Sequence, residues 1–100
     1  MTETDLTLAL FSWAELREYI HHILCRSADL LAEQSPLAEL PLIRAGRRCG
    51  IQFILQGPRN LRLSAIWASD LNVIYFYDAN GERGLKVALR YRLTRTADAA

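Results

Sequence analysis

Past Gly46 the hydrophobic pattern of this 100-residue chain changes period, and that change does most to limit what it can fold into. Before it, Trp13, Leu16, Ile20, Ile23, Leu24, Ser27 and Leu31 recur at spacings of three and four. At 100° per residue these fall on one stripe of an α-helix. After it, apolar residues alternate in runs at 48–56, 60–68, 72–78 and 84–93, the period of strands whose side chains point to opposite faces. The runs are separated by Gly57-Pro58, Ser69-Asp70 and Asn80-Gly81. Connections this short join neighbouring strands only in antiparallel order. Asn80-Gly81 predicts a two-residue hairpin turn, because Asn and Gly tolerate positive φ.

The helix start is written in Phe11-Ser12-Trp13-Ala14-Glu15-Leu16. Ser12 is placed to cap the N–H of Glu15, Glu15 to return to the N–H of Ser12, and Phe11 to staple onto Leu16. The helix is predicted to begin at Trp13 and to end at Ser35-Pro36, since the residue before proline avoids helical ψ. Leu6, Leu8 and Leu10 alternate with Thr7 and Ala9 and predict a short strand ahead of the helix. Residues 36–43 read as an ordered connection over the core, with a brief edge strand at Leu42–Ala45 turning at Gly46. The expected fold is α+β: a long N-terminal amphipathic helix packed on an antiparallel β-meander of four to five strands, with a short N-terminal strand as a possible addition. One domain spans 1–100, with 1–5 and 95–100 expected to be disordered termini.

Composition sets the class. With 51% hydrophobic and 23% charged residues the chain lies far from the region where chains stay disordered. Cys25 and Cys49 stand alone, which fits reduced thiols and a cytoplasmic protein better than a disulfide or zinc framework. The acidic start Met-Thr-Glu-Thr-Asp does not resemble a signal peptide. No apolar run approaches the ~18 residues of a membrane span. Charge is divided unequally: residues 1–43 hold Arg17 and Arg26 against seven acidic residues, whereas 44–100 hold ten basic residues against four acidic ones. Such a division holds helix to sheet or protomer to protomer, and it can also steer an anionic partner.

Catalytic and cofactor signatures are not evident. Glu18, His22, Cys25 and Asp29, with His21 beside them, fall on one helix face, but a single helix lacks the closed shell of a zinc site. Ser12, Ser27, Ser35, Ser64 and Ser69 have no glycine elbow, and the glycines have no phosphate-loop spacing. Asp70, Asp78 and Glu82 lie in or beside turns, where carboxylates cap amides. No catalytic residue, metal or cofactor is therefore assigned.

The sheet surface is the remaining lead. Alternation collects Ile51, Phe53, Leu55, Leu63, Ala65, Trp67, Val73, Tyr75, Tyr77, Leu85, Val87 and Leu89 on the face the helix should cover. The other face would carry Ile54, Ile66, Ile74, Phe76 and Ala88 in an apolar centre rimmed by Arg62, Lys86 and Arg90, where a solvated sheet would be polar. An apolar centre with a polar rim is how interfaces are built. Either the segments around Leu6–Leu10 and 36–43 fold over this face, or a second copy covers it. The expected function is a small non-catalytic interaction module, homodimeric or bound to another protein through those eight residues. The alternative is a nucleic-acid-binding domain in which Arg62, Lys86, Arg90 and Arg92 flank Tyr75 and Tyr77, or Phe76, as stacking platforms. An enzyme with an unrecognised site is a third possibility.

Overall fold

The computed structural model describes residues 4–31 and 34–92. In chain order the elements are β1 (Thr4–Leu8), α1 (Trp13–Ser27), β2 (Leu37–Arg44), β3 (Arg47–Gln56), β4 (Arg62–Ala68), β5 (Val73–Tyr77) and β6 (Arg83–Leu89). The strands form one six-stranded sheet in the order β1-β6-β5-β4-β3-β2. From β2 to β6 the chain is an antiparallel meander, while β1 pairs in parallel with β6. The helix therefore carries the chain from one edge of the sheet to the other, and the meander brings it back beside its own start.

The α+β class, with one helix ahead of the meander and a short strand ahead of the helix, is as expected. The sheet is larger and mixed, because both flanking segments joined it. Leu37–Arg44 is a full edge strand rather than a drape over the core. Pro41 fits there, since an edge strand can spare an N–H. The strand β1 begins at Thr4, inside the stretch expected to be disordered, whereas residues 1–3 and 95–100 lie outside the described residues.

Ser12 caps the helix, its Oγ accepting the Glu15 N–H at 3.1 Å. The Glu15 carboxylate reaches the N–H of Phe11 at 2.8 Å rather than that of Ser12. Phe11 is 68% exposed, and its ring stacks on Tyr91 at 5.0 Å. The helix also stops earlier than expected, at Ser27. Leu30 N–H donates to Cys25 O (2.8 Å), Asp29 N–H to Arg26 O (3.3 Å), and Asp29 takes φ +55°. That is a Schellman ending with Asp29 in the left-handed position usually held by glycine.

On the helix side, Leu16, Ile20 and Leu24 are buried against Ile51, Phe53, Leu55, Leu63, Ala65 and Trp67. Trp13 meets Trp67 edge-on at 5.2 Å and lies 5.9 Å from Phe53. At the β2 edge Arg17 forms an ion pair with Glu39 and donates to Leu37 O at 2.8 Å, tying α1 to the sheet.

Candidate functional site

Register decides which side chains face away from the helix. Sheet neighbours in register share a face, so the pairings generate rows that can be followed across the strands. Three rows run over the outer face. The first is Ala38, Ile54, Ser64, Tyr77 and Arg83. The second is Leu40, Gln52, Ile66, Tyr75 and Lys86. The third is Leu42, Gly50, Ala68, Val73 and Ala88, extended by Thr7 of β1. Gln56 and Arg62 pair beyond the first row.

Ile54, Ile66, Ala88, Arg62 and Lys86 thus share the outer face, as expected. Arg90 follows the end of β6, exposed, its N–H donating to Leu8 O at 2.8 Å. Ile74 and Phe76 are corrected: they lie on the helix side, 0% and 5% exposed, with Phe76 edge-on to Tyr19 at 6.2 Å. Val73, Tyr75 and Tyr77 take the outer positions instead.

The cause is the parity of one loop. Ala68 pairs with Val73 across four residues, so odd positions of β4 face even positions of β5, whereas β3 and β4 pair like with like. Assuming like parity across this hairpin turns every β5 side chain over. Asn72 fixes the loop. Its N–H donates to Ala68 O at 2.8 Å, its φ is +54°, and its buried side chain accepts Trp67 Nε1–H at 3.1 Å and donates to Tyr91 O at 2.7 Å.

No described segment lies over the outer face, because both candidates to cover it became edge strands. Leu40 is 47% exposed, and Ile66, Tyr75 and Tyr77 are half-buried. Ile54 and Val73, at 8% and 7%, are buried without belonging to the helix-side core. The Arg83 guanidinium lies 4.5 Å from the centre of the Tyr75 ring, a cation–π contact on this surface. Leu40, Val73, Tyr75, Tyr77 and Arg83 are the outer-face residues that sequence reasoning missed: the loop parity accounts for the three on β5, Leu40 lay in a segment read as a connection, and Arg83 is placed by a register shift between β5 and β6.

Other candidates do not assemble. His21 Nε2 lies 2.7 Å from Ser35 O, His22 is exposed and Cys25 is buried; among the described residues no three potential ligands come together around an ion. Asp78 caps its turn, Oδ1 accepting the N–H groups of Asn80 and Glu82 at 2.9 Å each. A cleft of about 570 Å³ opens between the end of α1 and the β5–β6 hairpin, lined by Ile23, Leu24, Phe76 and Leu85 with Asp78 and Glu82 at its margin. Burial raises the Tyr19 hydroxyl above its ordinary pKa. Among the described residues no helix is long and apolar enough to cross a membrane.

Set against protein-family models, curated proteins and solved structures, the chain matches none.

Proposed function

We propose that this chain is an interaction module whose outer sheet face docks a second copy of itself. The observation that carries the reading is the uncovered row Leu40, Ile66, Tyr75 beside buried Ile54 and Val73, on a face opposite the only α-helix among the described residues. Apolar sheet surface left in water is unfavourable by roughly 25 cal/mol per Å². Two-fold dimers are the commonest oligomers, and a second copy on this face would remove it from water. The test is a double change, Ile66→Asp with Tyr75→Asp, followed by light scattering. Both side chains are half-buried, so the variant is expected to remain folded by circular dichroism and to run as a monomer. A mass equal to wild type would overturn the docking face.

A second reading is supported by a specific arrangement. Tyr75 and Tyr77 share the outer face with Arg62, Arg83 and Lys86, which resembles a stacking platform for single-stranded nucleic acid more closely than the sequence pattern alone did. Titration with a fluorescent single-stranded RNA at two salt concentrations separates the readings. A phosphate binder loses affinity steeply as salt rises, whereas an apolar dimer does not.

A further inference from the structure

Topology gathers four connections at one end of the sheet. Gly50 pairs with Ala68, Val73 with Ala88 and Leu8 with Leu89. The Ala45-Gly46 turn, the loop before Asn72, the chain after Leu89 and the approach to α1 therefore emerge together. This end carries the three most exposed large apolar side chains among the described residues: Phe11 at 68%, Leu71 at 65% and Ile43 at 61%. Phe11 sits beside β1 and β6, Leu71 between β4 and β5, and Ile43 on β2. Five strand spacings of about 4.8 Å spread them over about 24 Å.

Positive charge collects at the same end. Arg44, Arg47, Arg48, Arg90 and Arg92 are all exposed there. Arg44 and Arg47 stand directly opposite one another across the β2–β3 hairpin, where like charges are destabilising. Among the described residues none of Arg44, Arg47 and Arg48 has a carboxylate partner. Their hairpin projects, because the pairing of β3 with β4 stops at Gly50 and Ala68. Arg92 donates to Ser69 O at 2.8 Å and to Asp70 O at 3.3 Å, which sets its guanidinium beside the Leu71 loop. The described carboxylates at this end are Asp70 and Glu15, and Glu15 accepts the Phe11 N–H at 2.8 Å. Five cations against two anions leave this end electropositive.

We propose that this end of the sheet docks on an anionic lipid bilayer, with Phe11, Leu71 and Ile43 entering the headgroup–acyl boundary and the arginines between them meeting lipid phosphates. Apolar burial at that boundary and attraction to anionic lipid are the two sources of affinity for a protein that lies on a membrane, and both are present at one end of this chain. A nucleic-acid strand would use the arginines and stack on the Phe11–Tyr91 pair, but it offers nothing to the aliphatic side chains of Ile43 and Leu71, which have no π face for a base. Those two side chains favour the bilayer.

Flotation of the full chain with phosphatidylcholine vesicles, plain or containing about 30% phosphatidylserine, tests the proposal. Wild type is expected to float with the anionic vesicles only. Ile43→Ser with Leu71→Ser keeps every charge and is expected to bind roughly ten-fold more weakly or worse. Arg47→Gln with Arg48→Gln keeps every apolar side chain and is expected to bind roughly 30-fold more weakly. All four side chains are exposed, and circular dichroism checks that both variants are folded. Leu71→Ser alone, in a loop, gives the apolar reading if the change on β2 disturbs the strand. Loss of binding in both variants supports the bilayer. Failure of wild type to float with anionic vesicles overturns it. So does an apolar variant that binds as wild type does, since charge alone would then account for the affinity. Tighter binding of a mixed-sequence single-stranded RNA through the same arginines also overturns it and assigns this end to nucleic acid.

Discussion

The Asn72 loop sets the phase of β5, so removing its side chain tests the chemistry that puts Tyr75 outside and Phe76 inside. In Asn72→Ala three things are lost. The buried Trp67 Nε1–H loses its acceptor, which leaves a donor unsatisfied at about 1–3 kcal/mol. The bond to Tyr91 O, a partly buried contact, contributes about 0.5–1.5 kcal/mol. A residue at φ +54° also changes from Asn, which tolerates the left-handed region, to Ala, for which that region costs about 1–2 kcal/mol. These effects share one side chain and do not simply add, so the expected loss is about 3 kcal/mol. Asn72→Gly removes the same hydrogen bonds but relieves the backbone, and should be the milder variant by about 1 kcal/mol. Urea unfolding followed by circular dichroism measures both. The reasoning fails if Asn72→Ala costs less than about 0.5 kcal/mol, the range of an ordinary surface change. It fails equally if Gly proves worse than Ala.

Further outcomes are expected elsewhere. At Gly50 an added Cβ would stand 2.2 Å from the backbone O of Trp67, so Gly50→Ala should destabilise by about 3 kcal/mol through separation of β3 from β4. Gly84→Ala, with nothing within 4 Å, should be neutral or stabilising by up to about 1 kcal/mol, and equal melting temperatures for the pair would contradict this. Ala45 and Gly46 hold φ of +53° and +77° in the two-residue turn of the β2–β3 hairpin, so Ala45→Asn should raise stability by about 0.5–1 kcal/mol in urea; a lower midpoint would contradict the turn type. Ser12→Ala should cost about 1 kcal/mol, seen as a lowered melting temperature, because the Glu15 N–H loses its acceptor.

Local chemistry was legible where it acts over a few residues, and illegible where one residue of parity decides. The helix start at Trp13 followed from Ser12 and Glu15, and the inward sets of β3, β4 and β6 followed from alternation. The helix end was not, because the chain leaves the helix after Ser27, eight residues before Ser35, through Asp29 in a conformation usually reserved for glycine. Turn chemistry was exchanged between two hairpins. Asn80-Gly81 was expected to hold positive φ at both positions, yet only Gly81 does, at +80°, in a loop where Gly81 N–H donates to Asp78 O at 2.9 Å. Both φ are positive instead at Ala45-Gly46 and at Arg59-Asn60, pairs that give no Asn-Gly signal. The candidate site depended on the same kind of detail. An apolar outer face with a basic rim was readable from Ile54, Ile66, Arg62 and Lys86, but the four-residue loop after Ala68 replaced Ile74 and Phe76 by Tyr75 and Tyr77. A substitution of Phe76 by Asp would therefore strike the core, and Tyr75 is the residue with which to probe the surface.

The measurement that bears most directly on the outer face as a docking surface is the mass of the full chain by sedimentation equilibrium at low and at high salt. Burial of Leu40, Ile66 and Tyr75 against a second copy predicts twice the 11.4 kDa chain mass at both salt concentrations, since apolar contact is not screened. A mass of one chain at both, across concentrations into the micromolar range and above, would contradict it.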